Sequence, residues 1–114
     1  MLADVQFTVT DEIVVAAVTG EIDLSNAEHL CEAIVDATAN DARGVVLDLA
    51  AVDYLDSTGI HLIYRLRESL RTRGQRLMLV IPEDSPVRDS LRLAGVMQHL
   101  PICASVEDAL QSVV

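Results

Sequence analysis

Tryptophan is absent, phenylalanine occurs once and tyrosine twice, so the apolar half of this 114-residue chain is built almost entirely from aliphatic side chains. Val, Leu, Ile and Ala suit a parallel sheet buried under helices. Basic residues are scarce as well: 8 Lys plus Arg stand against 18 Asp plus Glu, for a net charge of −10. Direct nucleic-acid binding needs a basic footprint to displace counterions from phosphates, and this composition argues against one. Neutral or basic proteins are the expected partners, although an acid excess also simply keeps a small domain in solution. Long apolar runs are missing. The longest, Ile13 to Val18, is far short of the ~20 residues that span a bilayer, and the N-terminus lacks a basic region leading into a signal-type stretch. No membrane insertion is expected, and the expected location is the cytoplasm.

The usual signatures of small-molecule chemistry are also lacking. Glycines at positions 20, 44, 59, 74 and 95 fit neither the dinucleotide fingerprint nor the phosphate-binding loop of nucleotide hydrolases, so no cofactor is expected. His29, His61 and His99 fall in three separate segments without a second ligand at helical spacing, which argues against a metal site. Cys31 and Cys103 form no Cys-x-x-Cys pair and are expected as free thiols, with a disulfide or redox role disfavoured. Ser57 lacks the glycine two residues upstream that a nucleophile elbow requires. His61, four residues on along the same helix, is poorly placed to act as its base. No nucleophile, base and oxyanion site assemble, and an enzyme is not expected.

What is present is a regular alternation of strand and helix signals. Val5 to Thr10 alternates, Asp11-Glu12 makes a tight turn, and Ile13 to Val18 continues as a second strand ending at Gly20. Glu21-Ile22-Asp23-Leu24 then forms a loop to a helix starting at Ser25, which has capping-box spacing to Glu28. Ala27, Leu30, Cys31, Ile34, Val35 and Thr38 form its inner face as far as about Asn40. Val45 to Leu49 is a strand, and the polar stretch Asp53 to Gly59 leads into a helix turning Ile60, Ile63, Tyr64 and Leu70 inward, closed by Gly74. Leu77 to Ile81 reads as a central strand, Ser85-Pro86 opens a third helix ended by Gly95, and a short extended piece at Leu100-Pro101-Ile102 precedes a last helix from Ser105. The order is ββαβαβαβα, an α/β fold. Short connections imply right-handed crossovers, hence a mixed, mostly parallel sheet covered by helices, with the first hairpin strand antiparallel at an edge. At this length residues 1–114 form one domain.

In such a sheet the loops after strand ends gather on one rim. Two of them are acidic: Glu21-Ile22-Asp23, and the loop carrying Asp53, Asp56, Ser57, Thr58 and Gly59. The plain account of Ser57 is a helix cap beside Asp56, which complements the helix dipole. Its acidic company marks the rim as a partner surface.

These residues resemble the anti-sigma factor antagonists, the free-standing form of the STAS domain shared with sulfate transporter tails. Gly20-Glu21-Ile22-Asp23 is similar to that family's first loop, Val45 to Leu49 with Asp56-Ser57-Thr58-Gly59 to its strand and phosphorylation loop, and Leu91-Arg92-Leu93-Ala94-Gly95-Val96 to its third-helix ending. Leu100-Pro101-Ile102 and Ser105 to Leu110 fit its closing segment. The resemblance implies a STAS fold and an antagonist that, unphosphorylated, binds an anti-sigma factor serine kinase and thereby releases a sigma factor. It implies Ser57 as the phosphate acceptor, with Thr58 the runner-up, and Glu21, Asp23, Asp53, Asp56, Ser57, Thr58 and Gly59 as the partner surface. A serine/threonine phosphatase would reverse the switch, and the protein would be a monomer or weak dimer. The alternative is a STAS regulatory subunit of a membrane lipid transporter, which uses the same fold. A stressosome-like scaffold is not expected, because those proteins usually add an N-terminal sensory domain and no residues for one precede the first strand.

Overall fold

In the computed structural model, which describes residues 3–113, the sequence builds a five-stranded sheet in the order β1-β2-β3-β4-β5. Strand β1 (Ala3–Thr10) and β2 (Ile13–Ile22) pair antiparallel through the turn at Asp11 and Glu12. Both turn residues have positive φ, 51° and 66°, the backbone hand that matches the twist of a two-residue hairpin. Arg43 steadies this turn, its N–H donating to the Glu12 carbonyl at 2.9 Å.

The remaining elements are α1 (Ala27–Ala37), β3 (Gly44–Leu55), α2 (Ser57–Arg71), β4 (Arg76–Val80), α3 (Pro86–Leu93), a single 3-10 turn at Met97–His99, β5 (Ile102–Cys103) and α4 (Val106–Val113). Strands β2 to β5 run parallel. The strands lie side by side in chain order, so right-handed crossovers place successive helices on the same face of the sheet. The core divides accordingly. Ile34, Ile63, Leu66, Leu70, Val87 and Leu91 of α1, α2 and α3 pack on Val45, Leu47, Leu77 and Leu79. The other face, carrying Ile13, Val15, Val46, Met78 and Val80, is left to α4, which covers it with Ala109 and Val113.

Helix ends follow local chemistry where the sequence marks them. Ser85 Oγ accepts the Val87 N–H at 3.1 Å with Pro86 at the first helical position. Gly74 and Gly95, both at φ 73°, end α2 and α3, and the Gln75 N–H returns to the Leu70 carbonyl at 2.9 Å.

Several boundaries differ from the sequence reading. The capping box at Ser25 does not form: α1 begins at Ala27, and Ser25 Oγ instead donates to Asp23 at 2.5 Å. That helix stops at Ala37 because Thr38, buried, donates its hydroxyl to the Ile34 carbonyl at 2.7 Å and turns extended. Strand β2 continues through Gly20 to Ile22, and β3 runs on to Leu55, taking in residues read as loop. The cause is two register shifts between β2 and β3, which break the period-2 pattern while the pairing resumes at Glu21↔Tyr54 and Ile22↔Leu55. Tyr64 faces outward at 37% exposure, while Ile63 and Leu66 take the inner positions.

Candidate functional site

The rim is assembled from the last residues of β2 and β3. Ile22 and Leu55 pair there, both 1% exposed, and each is followed at once by a polar turn. The Asp56 N–H donates to the Ile22 carbonyl at 3.4 Å, joining the two turns. The pairing skips from Gly20↔Val52 to Glu21↔Tyr54, so Asp53 is the extra residue of a β-bulge on β3 rather than part of a loop. It is exposed, in strand and three residues short of the helix.

The first turn is held by its own side chains. Asn26 Nδ2 donates to the Glu21 carbonyl at 2.8 Å, and Asn26 Oδ1 accepts the Asp23 N–H at 3.1 Å. Asp23 Oδ1 accepts both the hydroxyl of Ser25 and, at 2.9 Å, its backbone N–H. The Ser25 hydroxyl, followed by that N–H, holds the Asp23 carboxyl below the usual carboxylate range.

The second turn corrects the assignment of the cap. Asp56, not Ser57, is the N-cap of α2: its Oδ1 accepts the N–H of Thr58 at 2.9 Å and of Gly59 at 3.1 Å. Ser57 is the first helical residue, exposed, with its hydroxyl engaged by no protein group among the described residues. Gly59 is buried against the strand ends: a Cβ there would lie 2.6 Å from Leu55 Cγ and 3.3 Å from Ile22 Cγ2. Only glycine lets α2 start this close to the rim.

Beside Ser57 a cleft of about 170 Å³ opens between the starts of α1 and α2, lined by Leu24, Ala27, Thr58, His61, Leu62 and Arg65 together with Glu28. Leu24 stands at its mouth, 81% exposed. Ser57, His61 and Arg65 follow one another at four-residue spacing along one side of α2, and all three are exposed. The surface thus combines carboxylates, an apolar knob and two basic side chains. No group of three His, Cys, Asp or Glu side chains among the described residues is placed to hold a metal ion.

A model of the STAS domain matches residues 4–109. The anti-sigma-F factor antagonist RsfB of Mycobacterium tuberculosis is 32% identical over 93% of this chain and 87% of its own length. The chain belongs to the anti-sigma factor antagonist family of STAS domains.

Solved members share its shape. An anti-sigma factor antagonist from Mycobacterium paratuberculosis superposes with a TM-score of 0.83 at 28% identity, covering 98% of this chain and 94% of that one. The anti-sigma factor antagonist SpoIIAA in its unphosphorylated form gives 0.76 at 25% identity, covering 96% of each chain. The mixed, mostly parallel sheet with helices matches the STAS fold expected from the sequence.

Of the residues named from the sequence of this STAS domain, Glu21, Asp23, Asp56, Ser57, Thr58 and Gly59 lie on or directly under the rim, while Asp53 sits one step back on the bulge. Leu24, His61 and Arg65 were missed. Their signal was legible: one large apolar residue between Asp23 and Ser25, and two basic residues repeating at helical spacing from Ser57. Cys31 is buried in the core on α1, and Cys103 packs on the opposite face beside α4. The sheet stands between the two thiols. Among the described residues no helix is long and apolar enough to cross a membrane.

Proposed function

We propose that this STAS protein, in its unphosphorylated form, binds an anti-sigma factor that is also a serine kinase, so that a sigma factor is released, and that phosphorylation of Ser57 ends the binding. The observation that carries this reading is the position of Ser57, exposed at the first residue of α2 with the helix N–H donors beside it already taken by Asp56. A phosphoryl group there adds about −1.5 to −2 charges. It would meet the Asp56 carboxylate, and in an interface also Glu21 and Asp23, while the N–H groups of Thr58 and Gly59 are already taken by Asp56. Repulsion and desolvation then fall on the bound state. A loss of about 2.8 kcal/mol weakens binding a hundredfold. The fold is spared, because Ser57 is exposed and contributes neither cap nor core packing. Leu24 and the cleft behind it supply the apolar centre of the surface, with His61 and Arg65 on its rim.

In this reading the protein is the kinase's substrate and performs no catalysis, a serine/threonine phosphatase restores it, and the system acts in the cytoplasm. The test is incubation with the anti-sigma kinase and ATP followed by intact-mass and peptide mapping. Phosphate is expected on Ser57, with Thr58 unmodified. Ser57→Ala should keep kinase binding and resist inactivation, while Ser57→Asp should lose most of its affinity with an unchanged melting temperature. Equal kinase affinity for the phosphorylated and unphosphorylated protein would sink the switch.

A further inference from the structure

The two edges of the sheet differ sharply. The β5 edge is a strand of two residues, Ile102–Cys103, too short to template another chain. The β1 edge is eight residues long, carries Asp4 as its single charge, contains no proline, and pairs with β2 without a register shift. These are the features by which edge strands normally discourage pairing, and β1 has almost none of them.

The hairpin register defines what β1 leaves open. A two-residue hairpin makes Thr10 and Ile13 a hydrogen-bonded pair, and hydrogen-bonded and open pairs then alternate along the ladder. The backbone N–H and C=O groups of Ala3, Val5, Phe7 and Val9 therefore point away from β2. Their side chains lie on the face where Val14, Ala16 and Val18 meet the helices. Phe7 is 38% exposed and Val9 69% exposed, although both are large and apolar. On that same face a cleft of about 280 Å³ lies between β1 and α1, lined by Ala3, Val5, His29, Leu30 and Ala33 among others.

We propose that β1 pairs with β1 of a second copy of this chain, antiparallel about a two-fold axis between the two Gln6 residues, to give a continuous ten-stranded sheet. This register is the one that engages all four outward-facing residues. Ala3 then pairs with Val9 of the second copy, and Val5 with its Phe7, in both directions. The exposed Phe7 and Val9 of each copy come to rest over the cleft that Ala3 and Val5 line in the other, so the largest apolar side chains on β1 meet the empty space beside it. An aromatic opposite a β-branched residue is a favourable cross-strand pair. On the other face Gln6 meets Gln6, whose amides both donate and accept, and Asp4 meets Thr8. No like charges stand opposite along the strand. Self-complementarity of this kind is what a closed two-fold interface requires and what an arbitrary partner strand would not provide. Two chains of net charge −10 repel each other at long range, so the dimer strengthens as salt screens that repulsion.

Sedimentation velocity over a concentration series, at low and high ionic strength, measures the association. A reversible dimer that tightens with salt is expected. Phe7→Glu should abolish it, and Leu93→Glu, at a residue 90% exposed on α3, should leave it intact. The register has its own test that does not depend on destabilising the strand. Gln6 faces Gln6 at a non-hydrogen-bonded position with Cα atoms about 4.5 Å apart, within disulfide reach. With diamide as oxidant, Gln6→Cys is expected to give a covalent dimer on a non-reducing gel. Thr8→Cys, on the same face but opposite Asp4, should give no covalent dimer, with Cys103→Ser in both variants to remove the native accessible thiol. A protein that stays monomeric throughout the series, a dimer that survives Phe7→Glu, or equal cross-linking at positions 6 and 8 would each overturn the proposal.

Discussion

Asp56 Oδ1 accepts the Gly59 N–H at 3.1 Å, so the carboxylate directly before Ser57 closes the first turn of α2 and leaves the serine free. Asp56→Ala is therefore expected to destabilise the protein by about 1 kcal/mol, the typical value of an N-cap. Ser57→Ala, at an exposed position whose hydroxyl has no partner among the described residues, should stay within about 0.5 kcal/mol of the parent. Urea denaturation of the two variants distinguishes them. The reverse order of stabilities would return the cap to Ser57.

Gly59→Ala tests the close approach of α2 to the strand ends. Alanine gains about 1 kcal/mol over glycine in helix propensity. Its Cβ would, however, sit 2.6 Å from the branched Cγ of Leu55, which is 1% exposed and has nowhere to move. Overpacking of this sort costs about 1–3 kcal/mol and is expected to win, giving a net loss of stability in the denaturation midpoint.

The Asp23 carboxyl is held below the usual range by the Ser25 hydroxyl and then by the Ser25 N–H. A carboxylate with a lower pKa folded than unfolded favours the folded state above its unfolded value, and that contribution is lost as pH falls through the folded pKa. NMR titration of Asp23 should give a midpoint below the ordinary value of about 3.9. In Ser25→Ala the midpoint should rise part of the way back, since the backbone N–H remains. An unmoved midpoint would remove the hydroxyl as the cause.

The two thiols should behave differently. Burial pushes the Cys31 thiol up, so less of the reactive thiolate forms. Cys103 is only half-buried. Alkylation of the native protein at mildly alkaline pH is expected to label Cys103 rapidly and Cys31 only after denaturation, giving one fast and one protected site by mass spectrometry. With the sheet between them, oxidation should produce no intramolecular disulfide.

Much of the fold was legible because its signals are local. Ser85-Pro86, Gly74 and Gly95 act through bonds to residues within a turn, and each ends or begins its helix where the sequence places it. The signals that misled were equally local. Ser25 and Glu28 have capping-box spacing, yet the Ser25 hydroxyl donates to Asp23 and the N-cap falls one residue later at Asn26, and Ser57 looks like a cap beside the better one at Asp56. At α2 two neighbouring side chains could accept the same N–H donors, and at α1 the backbone carbonyl of Asp23 takes the N–H groups of Asn26 and Ala27; spacing alone ranks neither outcome.

By itself the sequence determined the class of the core, the order of strands and helices, and the Asp56-Ser57-Thr58-Gly59 segment at the start of α2. Aliphatic composition and periodicity act residue by residue, whereas the placing of successive helices on one face follows from the spatial order of the strands. Only the tertiary structure decided how far β2 and β3 run, that Asp53 is a bulge, and that Leu24, His61 and Arg65 share a cleft with Thr58. These depend on register between strands and on how closely α2 approaches Ile22, contacts between residues far apart in the sequence that no local pattern encodes.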